Sequence, residues 1–406
     1  MAQSADNFTE IIKANAMIID PKILSQDDDV VTKLEKSIHF GDYKVLAMGE
    51  QSHGTSEFFK TRTNLIRLLV ARKQLTKIGL EAPMPEVDLL NKFVAGEGGN
   101  LKDILKSFRL YSYECSEFMD LVEAVKTINV NRRDKIIFFG FDVQSPFQSL
   151  QNMLDYSAKN NPATVDSLQK LINNYKLLNN EMYAHTFSEE DFNELNTLSE
   201  QIMTTYDPQS ASSEKSDLLK KSINNYRQFL LINNPYVTKN DMLIQSVIRD
   251  SLMAVNVLSE ITDADKIIIL AHNAHIQKTV NVYSKSMGYY LSNTLGKHYK
   301  CLGSTTSTGF YTAYNPAVGK ITDMNKIQTG DQDTFEFFFS RTEKPIFFLN
   351  TSQVVQQLKN VTTPTKYRLL VYGYTEQQFV PGNVLADYDF VLHIDRTTGN
   401  KSFYLK

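Results

Sequence analysis

Lys44-Val45-Leu46-Ala47-Met48 runs straight into Gly49-Glu50-Gln51-Ser52-His53-Gly54, and the reading of this junction decides the fold. A short apolar run closed by a glycine-bounded turn reads as a buried strand. The polar residues after it stand where strand gives way to loop. The pattern recurs three times. Leu75 to Leu80 runs into Glu81, Lys135-Ile136-Ile137-Phe138-Phe139 into Gly140-Phe141-Asp142, and Lys266-Ile267-Ile268-Ile269-Leu270 into Ala271-His272-Asn273-Ala274-His275. In an open α/β sheet, ligands bind beyond the carboxyl ends of the strands. The four junctions therefore predict a functional sheet edge furnished with Glu, His, Glu, Asp, His and His.

Outward from these strands the period changes from short apolar runs to three- and four-residue steps. A helix is expected over 55–74, with Phe58 or Phe59, Arg62, Ile66 and Leu69 on one stripe. Another follows Pro83 and Pro85 and ends near Gly96-Glu97-Gly98-Gly99, and 101–128 reads as further helix. From 146 to about 260 no strand is expected; 166–183, 189–206, 215–232 and 241–261 read as helices, and 207–213 as a polar loop. Strands return at 299–305, 345–349, 367–372 and 389–394. The fold class predicted is α/β, a three-layer core on a mainly parallel central sheet, with an all-α inserted or lid region. In domain terms, 1–145 and 263–406 supply the two parts of the core and 146–262 the helical insertion.

Composition narrows the function. A chain of 406 residues with 42% apolar and 22% charged side chains can bury a large core. Its net charge of −3 gives no electrostatic footprint for nucleic acid. No apolar stretch approaches the ~20 residues that cross a bilayer, so no membrane partner is expected. Met1 to Asp6 lack the basic head and apolar middle of an export signal. The chain as written is expected in the cytoplasm, or in the periplasm or outside the cell if a signal was removed. Cys115 and Cys301 sit in no metal or redox motif and read as small core hydrophobes.

Arg62 is the most telling residue outside the loops. It falls on an otherwise apolar stripe, so it is expected to point inward and to be paired, Glu50 and Glu81 being the candidate partners. His53 has Glu50 three residues upstream; a carboxylate beside an imidazole fixes its tautomer and raises its basicity, as activation of water requires. His272 and His275 could ligate a metal or assist at a reacting carbonyl, and their spacing is not the His-Glu-x-x-His of zinc proteases. Asp142 could cap the following turn or serve the site. Neither a Gly-x-Ser-x-Gly elbow nor a phosphate or dinucleotide loop is present. A set rich in His, Glu and Arg and poor in nucleophiles fits direct attack by activated water, with positive charge for the oxyanion.

Gly49-Glu50-Gln51-Ser52-His53-Gly54-Thr55-Ser56-Glu57-Phe58, Arg62 and Leu80-Glu81-Ala82 resemble the opening signature of the erythromycin esterase family. Gly140-Phe141-Asp142, Arg249-Asp250 with Met253-Ala254, Ala271-His272-Asn273-Ala274-His275, Met287-Gly288 through Leu295-Gly296 to Tyr299, and Asp387-Tyr388-Asp389-Phe390 extend the resemblance over nearly the whole chain. It implies an α/β core with a helical companion and hydrolysis of the lactone ester of macrolide antibiotics, with resistance as the outcome. By position, His53 would be the general base, Glu50, Arg62 and Glu81 its essential charged partners, and His272 and His275 the histidines facing them. Asp142 and Arg249 would bind substrate. The implied partners are a macrocyclic lactone and water, with no cofactor. The chain departs from the family in having Val255 within Met253-Ala254-Val255-Asn256, where glutamate is usual, and in lacking tryptophan altogether.

Two rival readings remain from the residues themselves. One is a metal-dependent hydrolase of the same fold, acting on another bulky ester or a peptide, with His53, His272, His275 and a carboxylate as ligands. The other is a binding protein whose cleft captures an apolar small molecule without catalysis.

Overall fold

The computed structural model of the chain describes residues 2–25, 29–35, 38–178, 188–204, 214–280, 284–370 and 373–405. The chain forms two compact units. Residues 1–79, 114–137 and 260–406 make the first, and residues 80–113 and 138–259 the second. In chain order the strands are β1 (Met17–Ile18), β2 (Val45–Glu50), β3 (Lys77–Pro83), β4 (Ile137–Asp142), β5 (Ile267–His272), β6 (Tyr299–Asn315), β7 (Lys320–Ile327), β8 (Ile346–Asn350), β9 (Lys366–Arg368), β10 (Phe379–Pro381) and β11 (Phe390–Thr397).

In the first unit the sheet order is β1-β8-β11-β6-β2-β5, with β7 paired to β6. Its centre is parallel: β11 with β6, and β2 with both β6 and β5. The antiparallel pairs lie at the margins, β1 with β8, β8 with β11 and β7 with β6. The chain thus adopts the expected α/β class with a mainly parallel sheet. Every residue of β2 and β5 is buried. A strand covered on both faces needs apolar residues at successive positions, which is why both sequences read as unbroken runs rather than as alternation.

β6 continues to Asn315, ten residues beyond the expected end. The extension begins at Thr306, within the polar stretch Ser304-Thr305-Thr306-Ser307. The side chains are buried and their hydroxyls are satisfied internally: Thr305 and Ser307 meet the two ring nitrogens of His393 on β11 at 2.9 and 3.0 Å. Burial pushes that imidazole down to about 3, and it is neutral in the core.

The helix Ser56–Ala71 follows β2 and is buried on nearly all sides, not on the single expected stripe. The stretch expected as one helix over 101–128 is two, Leu101–Ser107 and Ser116–Val130. Arg109, with φ of 57°, takes the left-handed conformation that a helix cannot propagate through. The strand expected at 367–372 shrinks to Lys366–Arg368, and residues 371–372 lie outside the described residues, as does the polar loop 207–213.

The second unit holds the end of β3, most of β4, and a set of helices. Met84–Ala95 closes at Gly96 in the left-handed conformation (φ 87°). Phe147–Asn160, Val165–Leu178, Glu189–Met203 and Glu214–Ile232 share an apolar core that includes Leu150, Leu171, Tyr175, Phe192, Ile223 and Tyr226. At its centre the hydroxyls of Tyr175 and Tyr226 meet at 3.0 Å, and Ser199 Oγ lies 2.5 Å from that of Tyr226. The helical stretch expected as an insertion therefore packs into one unit with 80–113. Met242–Ser259 completes the unit, Asp241 capping it by accepting from the amide of Leu243 at 2.7 Å.

Candidate active site

β2 and β5 run parallel with Glu50 in register with His272, so the last residues of two neighbouring central strands place a carboxylate beside an imidazole. The loop after β2 then turns tightly. A Cβ on Gly54 would meet the carbonyl oxygen of Thr312 at 1.7 Å, and one on Gly49 would meet Asn273 Oδ1 at 2.1 Å. Both glycines of the motif are thus demanded by close approach, not by a left-handed backbone. Gly54 in turn accepts from the amides of Thr312 and Asn400 at 2.9 and 2.8 Å, which ties the loop to β6 and to the C-terminal segment.

His53 is 6% exposed. Its Nδ1 lies 2.8 Å from Glu50 Oε1. An ionised carboxylate only accepts, so Nδ1 carries the proton and the basic lone pair sits on Nε2. Glu50 spends its other oxygen on Arg62, whose Nη1 donates to Oε2 at 2.5 Å. Arg62 Nη2 donates to the carbonyls of Met48 and Ala271, each at 2.7 Å. The guanidinium thus bridges the ends of β2 and β5 while fixing Glu50, and of the two partners expected for Arg62, Glu50 is the one held in this unit. Its Nε has no hydrogen-bond partner among the described residues.

The rings of His53 and His272 face each other with centroids 5.0 Å apart and planes tilted by 43°. His272 Nε2 lies 2.8 Å from the carbonyl of Leu370 and 3.2 Å from that of Gln51. Two acceptors at one nitrogen make it the donor. Nδ1 then accepts from the amide of Ala274 at 3.3 Å, and the ring is neutral. With both nitrogens engaged by backbone, His272 is poorly placed to ligate a metal. His275 sits half-buried on the short helix Asn273–Ile276. Ser52 Oγ pairs with Thr55 Oγ1 at 2.5 Å, outside any nucleophile arrangement.

The second unit carries its own charged cluster. Arg249 grips Asp142 through two bonds, Nε to Oδ1 at 2.8 Å and Nη2 to Oδ2 at 2.6 Å, and Nη2 also donates to Glu81 Oε1 at 3.1 Å. Asp142 accepts from its neighbour's amide as well, Val143 N at 2.7 Å. It serves the turn and the arginine at once. Four sequence candidates thus converge in the first unit (Glu50, His53, Arg62 and His272) and three in the second (Glu81, Asp142 and Arg249). No group of three or more His, Cys, Asp or Glu suited to a metal is found among the described residues.

The profile of the erythromycin esterase family matches residues 70–397. The chain belongs to the erythromycin esterase family. The matched stretch takes in Glu81, Asp142, Arg249, His272 and His275, whereas Glu50, His53 and Arg62 precede it. Erythromycin esterase type II of Escherichia coli is 25% identical over 359 residues, covering 79% of this chain and 84% of that one. Among solved structures, a mutant of erythromycin esterase EreC in its open conformation aligns with a TM-score of 0.70 at 16% identity, covering 96% and 100% of the two chains. A succinoglycan biosynthesis protein aligns at 0.77 with 21% identity (98% and 98%), and a Bacillus cereus protein at 0.79 with 18% (98% and 99%). These likenesses establish a shared fold. Val255 is 56% exposed, while the next residue, Asn256, is buried and donates to the carbonyl of Phe141 at 3.0 Å.

Three residues that the sequence reading passed over are built into the surroundings of His272: Gln51, Glu336 and Arg368, all fully or almost fully buried. A signal was present for two of them. Glu336 is the one acid in Phe335-Glu336-Phe337-Phe338-Phe339, and Arg368 the one charge in Tyr367-Arg368-Leu369-Leu370.

Proposed function

We propose that this chain is a carboxylic ester hydrolase that opens the lactone of a macrolide antibiotic, of erythromycin type or larger ring, by attack of water activated at His53. The carrying observation is the Arg62–Glu50–His53 chain of charge-assisted hydrogen bonds in a buried setting. With Nδ1–H committed to Glu50, Nε2 is the nitrogen that takes a proton from water, and the ionised Glu50 stabilises the imidazolium that results. Arg62 holds Glu50 in place through its hydrogen bond to Oε2. Family membership supports ester hydrolysis as the reaction, and resistance to the antibiotic is its consequence.

The water's oxygen bonds to the lactone carbonyl carbon, the ring C–O bond breaks, and the proton held by His53 returns to the departing alkoxide. The products are one carboxylic acid and one alcohol on the same opened chain. We assign His272 and His275 to the surroundings of the reacting carbonyl, Glu81 as a further essential carboxylate, and Asp142 and Arg249 to substrate binding. The mechanism requires no metal, so activity should survive exhaustive chelation. The test is mass spectrometry of macrolides incubated with the protein. A gain of one water that vanishes with His53→Ala supports the reading, and its absence across macrolides of several ring sizes would overturn it.

A further inference from the structure

Beneath the loop that carries His53 lies a buried polar network with no part in the proton transfer itself. Gln51 is its hub. The side-chain Oε1 of Gln51 accepts from the amide of Thr306 at 3.0 Å, and its Nε2 donates to Glu336 Oε1 at 2.7 Å and to the carbonyl of Arg368 at 3.1 Å. The same Glu336 oxygen accepts from the amide of Arg368 at 2.8 Å. The Arg368 guanidinium donates to the carbonyls of Thr306, Ser307 and Gln328 and lies 4.7 Å from the centre of the Phe379 ring. Burial pushes the Glu336 carboxyl up and the Arg368 guanidinium down to about 10, and each partly offsets the other's shift.

The main chain of Gln51 faces the opposite way. Its carbonyl accepts from the amide of Leu370 at 3.1 Å and from His272 Nε2 at 3.2 Å, and Leu370 returns its own carbonyl to the same Nε2. One residue therefore connects Glu336 and Arg368 to the two oxygens that orient the His272 ring. A buried glutamate and arginine set among phenylalanines are costly relative to apolar residues of similar volume. Here they fix the separation of two loops, at Gln51 and at Leu370, whose carbonyls must both reach one nitrogen.

We propose that Gln51 and Glu336 are positioning residues for the hydrolysis: they hold the carbonyls of Gln51 and Leu370 so that His272 is kept as the Nε2–H tautomer facing His53. The proposal rests on the reading of the site as a hydrolase. Loosening the network lets the imidazole rotate or exchange its proton, and misplacement of about 1 Å at a reacting centre can cost about a hundredfold in rate.

The experiment pairs steady-state kinetics with 15N NMR of histidine-labelled protein, which reads the tautomer of His272 without reference to activity. Gln51→Leu and Glu336→Leu are expected to lower kcat by about tenfold or more, to leave KM within about twofold, and to lose the Nε2–H signature of His272. Glu336→Gln keeps an accepting oxygen and should restore both rate and signature to near wild type. Gln51→Asn, which adds no charge and little void but cannot span Thr306 and Glu336 together, gives the same direction should leucine at 51 prevent folding. Unchanged kcat in Gln51→Leu or Gln51→Asn overturns the proposal, as does a loss of kcat with the His272 nitrogens unmoved. A wild-type protein that opens no ester fails the hydrolase reading alone, and the nitrogen shifts then decide whether Gln51 fixes His272.

Discussion

Glu50 and His272 occupy matching positions at the ends of two parallel strands, yet neither uses the other as its main partner. Glu50 turns to His53 and Arg62, and His272 to the carbonyls of Gln51 and Leu370. The register brings the groups close, while the hydrogen bonds divide their work. One imidazole is wired to a carboxylate and suited to gaining a proton. The other is wired to backbone and kept neutral.

That division predicts the behaviour of Glu50→Gln. The amide still reaches His53 but carries no charge to stabilise an imidazolium, so kcat should fall by about 10²–10⁴. Arg62 is left as a buried cation without its counter-charge, a loss of about 3–5 kcal/mol. Urea unfolding of the variant alongside its kinetics should show both effects. A variant as stable and as active as wild type would contradict the geometry.

Gly54→Ala is expected to damage the protein through packing alone. The new methyl would lie 1.7 Å from a backbone oxygen of β6, and a backbone contact cannot yield as the end of a flexible side chain can. Overpacking of this sort costs about 1–3 kcal/mol and sometimes more. The unfolding midpoint in urea should drop, and activity should fall further than stability because the same loop carries His53.

The residues that were legible in the sequence are those whose partners lie close along the chain or follow from strand order. Glu50 and His53 are three apart, and Arg62 betrayed itself as a charge on an apolar stripe. The all-buried strands β2 and β5 announced themselves as unbroken apolar runs. What stayed hidden depends on distant partners. Gln51 meets Glu336 across 285 positions, and no local pattern encodes that meeting. The continuation of β6 past Thr305 stayed hidden because Thr306 and Ser307 look solvent-facing until His393 and the neighbouring backbone are there to satisfy them. The break at Arg109 was missed because arginine carries no turn signal of its own.

His393 makes a prediction about pH. Its ring is neutral in the folded protein, with its titration pushed from 6.5 to about 3 by burial and by the nearby Arg368 charge. Between those values the unfolded chain binds a proton that the folded chain does not. Stability from this group is therefore complete above about pH 6.5 and is lost as pH falls towards 3. By pH 4.5 the loss is about 3 kcal/mol. Glu86 and Asp387 work in the opposite sense, since burial raises their carboxyls to about 7 and about 6 and acid relieves the cost of ionising them. The informative measurement is thus a difference: the fall in stability from pH 7 to 4.5 should be smaller in His393→Gln than in wild type. An equal fall in both would show that His393 takes up its proton at an ordinary pH.

Asp142→Asn tests the second charged cluster without removing a side chain. Asp142 is fully buried and gives each oxygen to Arg249, at 2.8 and 2.6 Å. An amide keeps one accepting oxygen but presents N–H to the guanidinium where the carboxylate had its second, so the bidentate grip fails. Arg249 keeps its bond to Glu81 but loses the two-point, planar hold on Asp142 that fixed the direction of its guanidinium. If Arg249 binds substrate, KM should rise by about tenfold while kcat changes less, because the His53–Glu50 pair is left as it was. Arg249→Lys should reproduce the effect, since a point charge cannot hold two oxygens of Asp142 and one of Glu81 in a single plane. A variant in which kcat falls and KM stays constant would instead place the cluster among the groups that act only in the transition state.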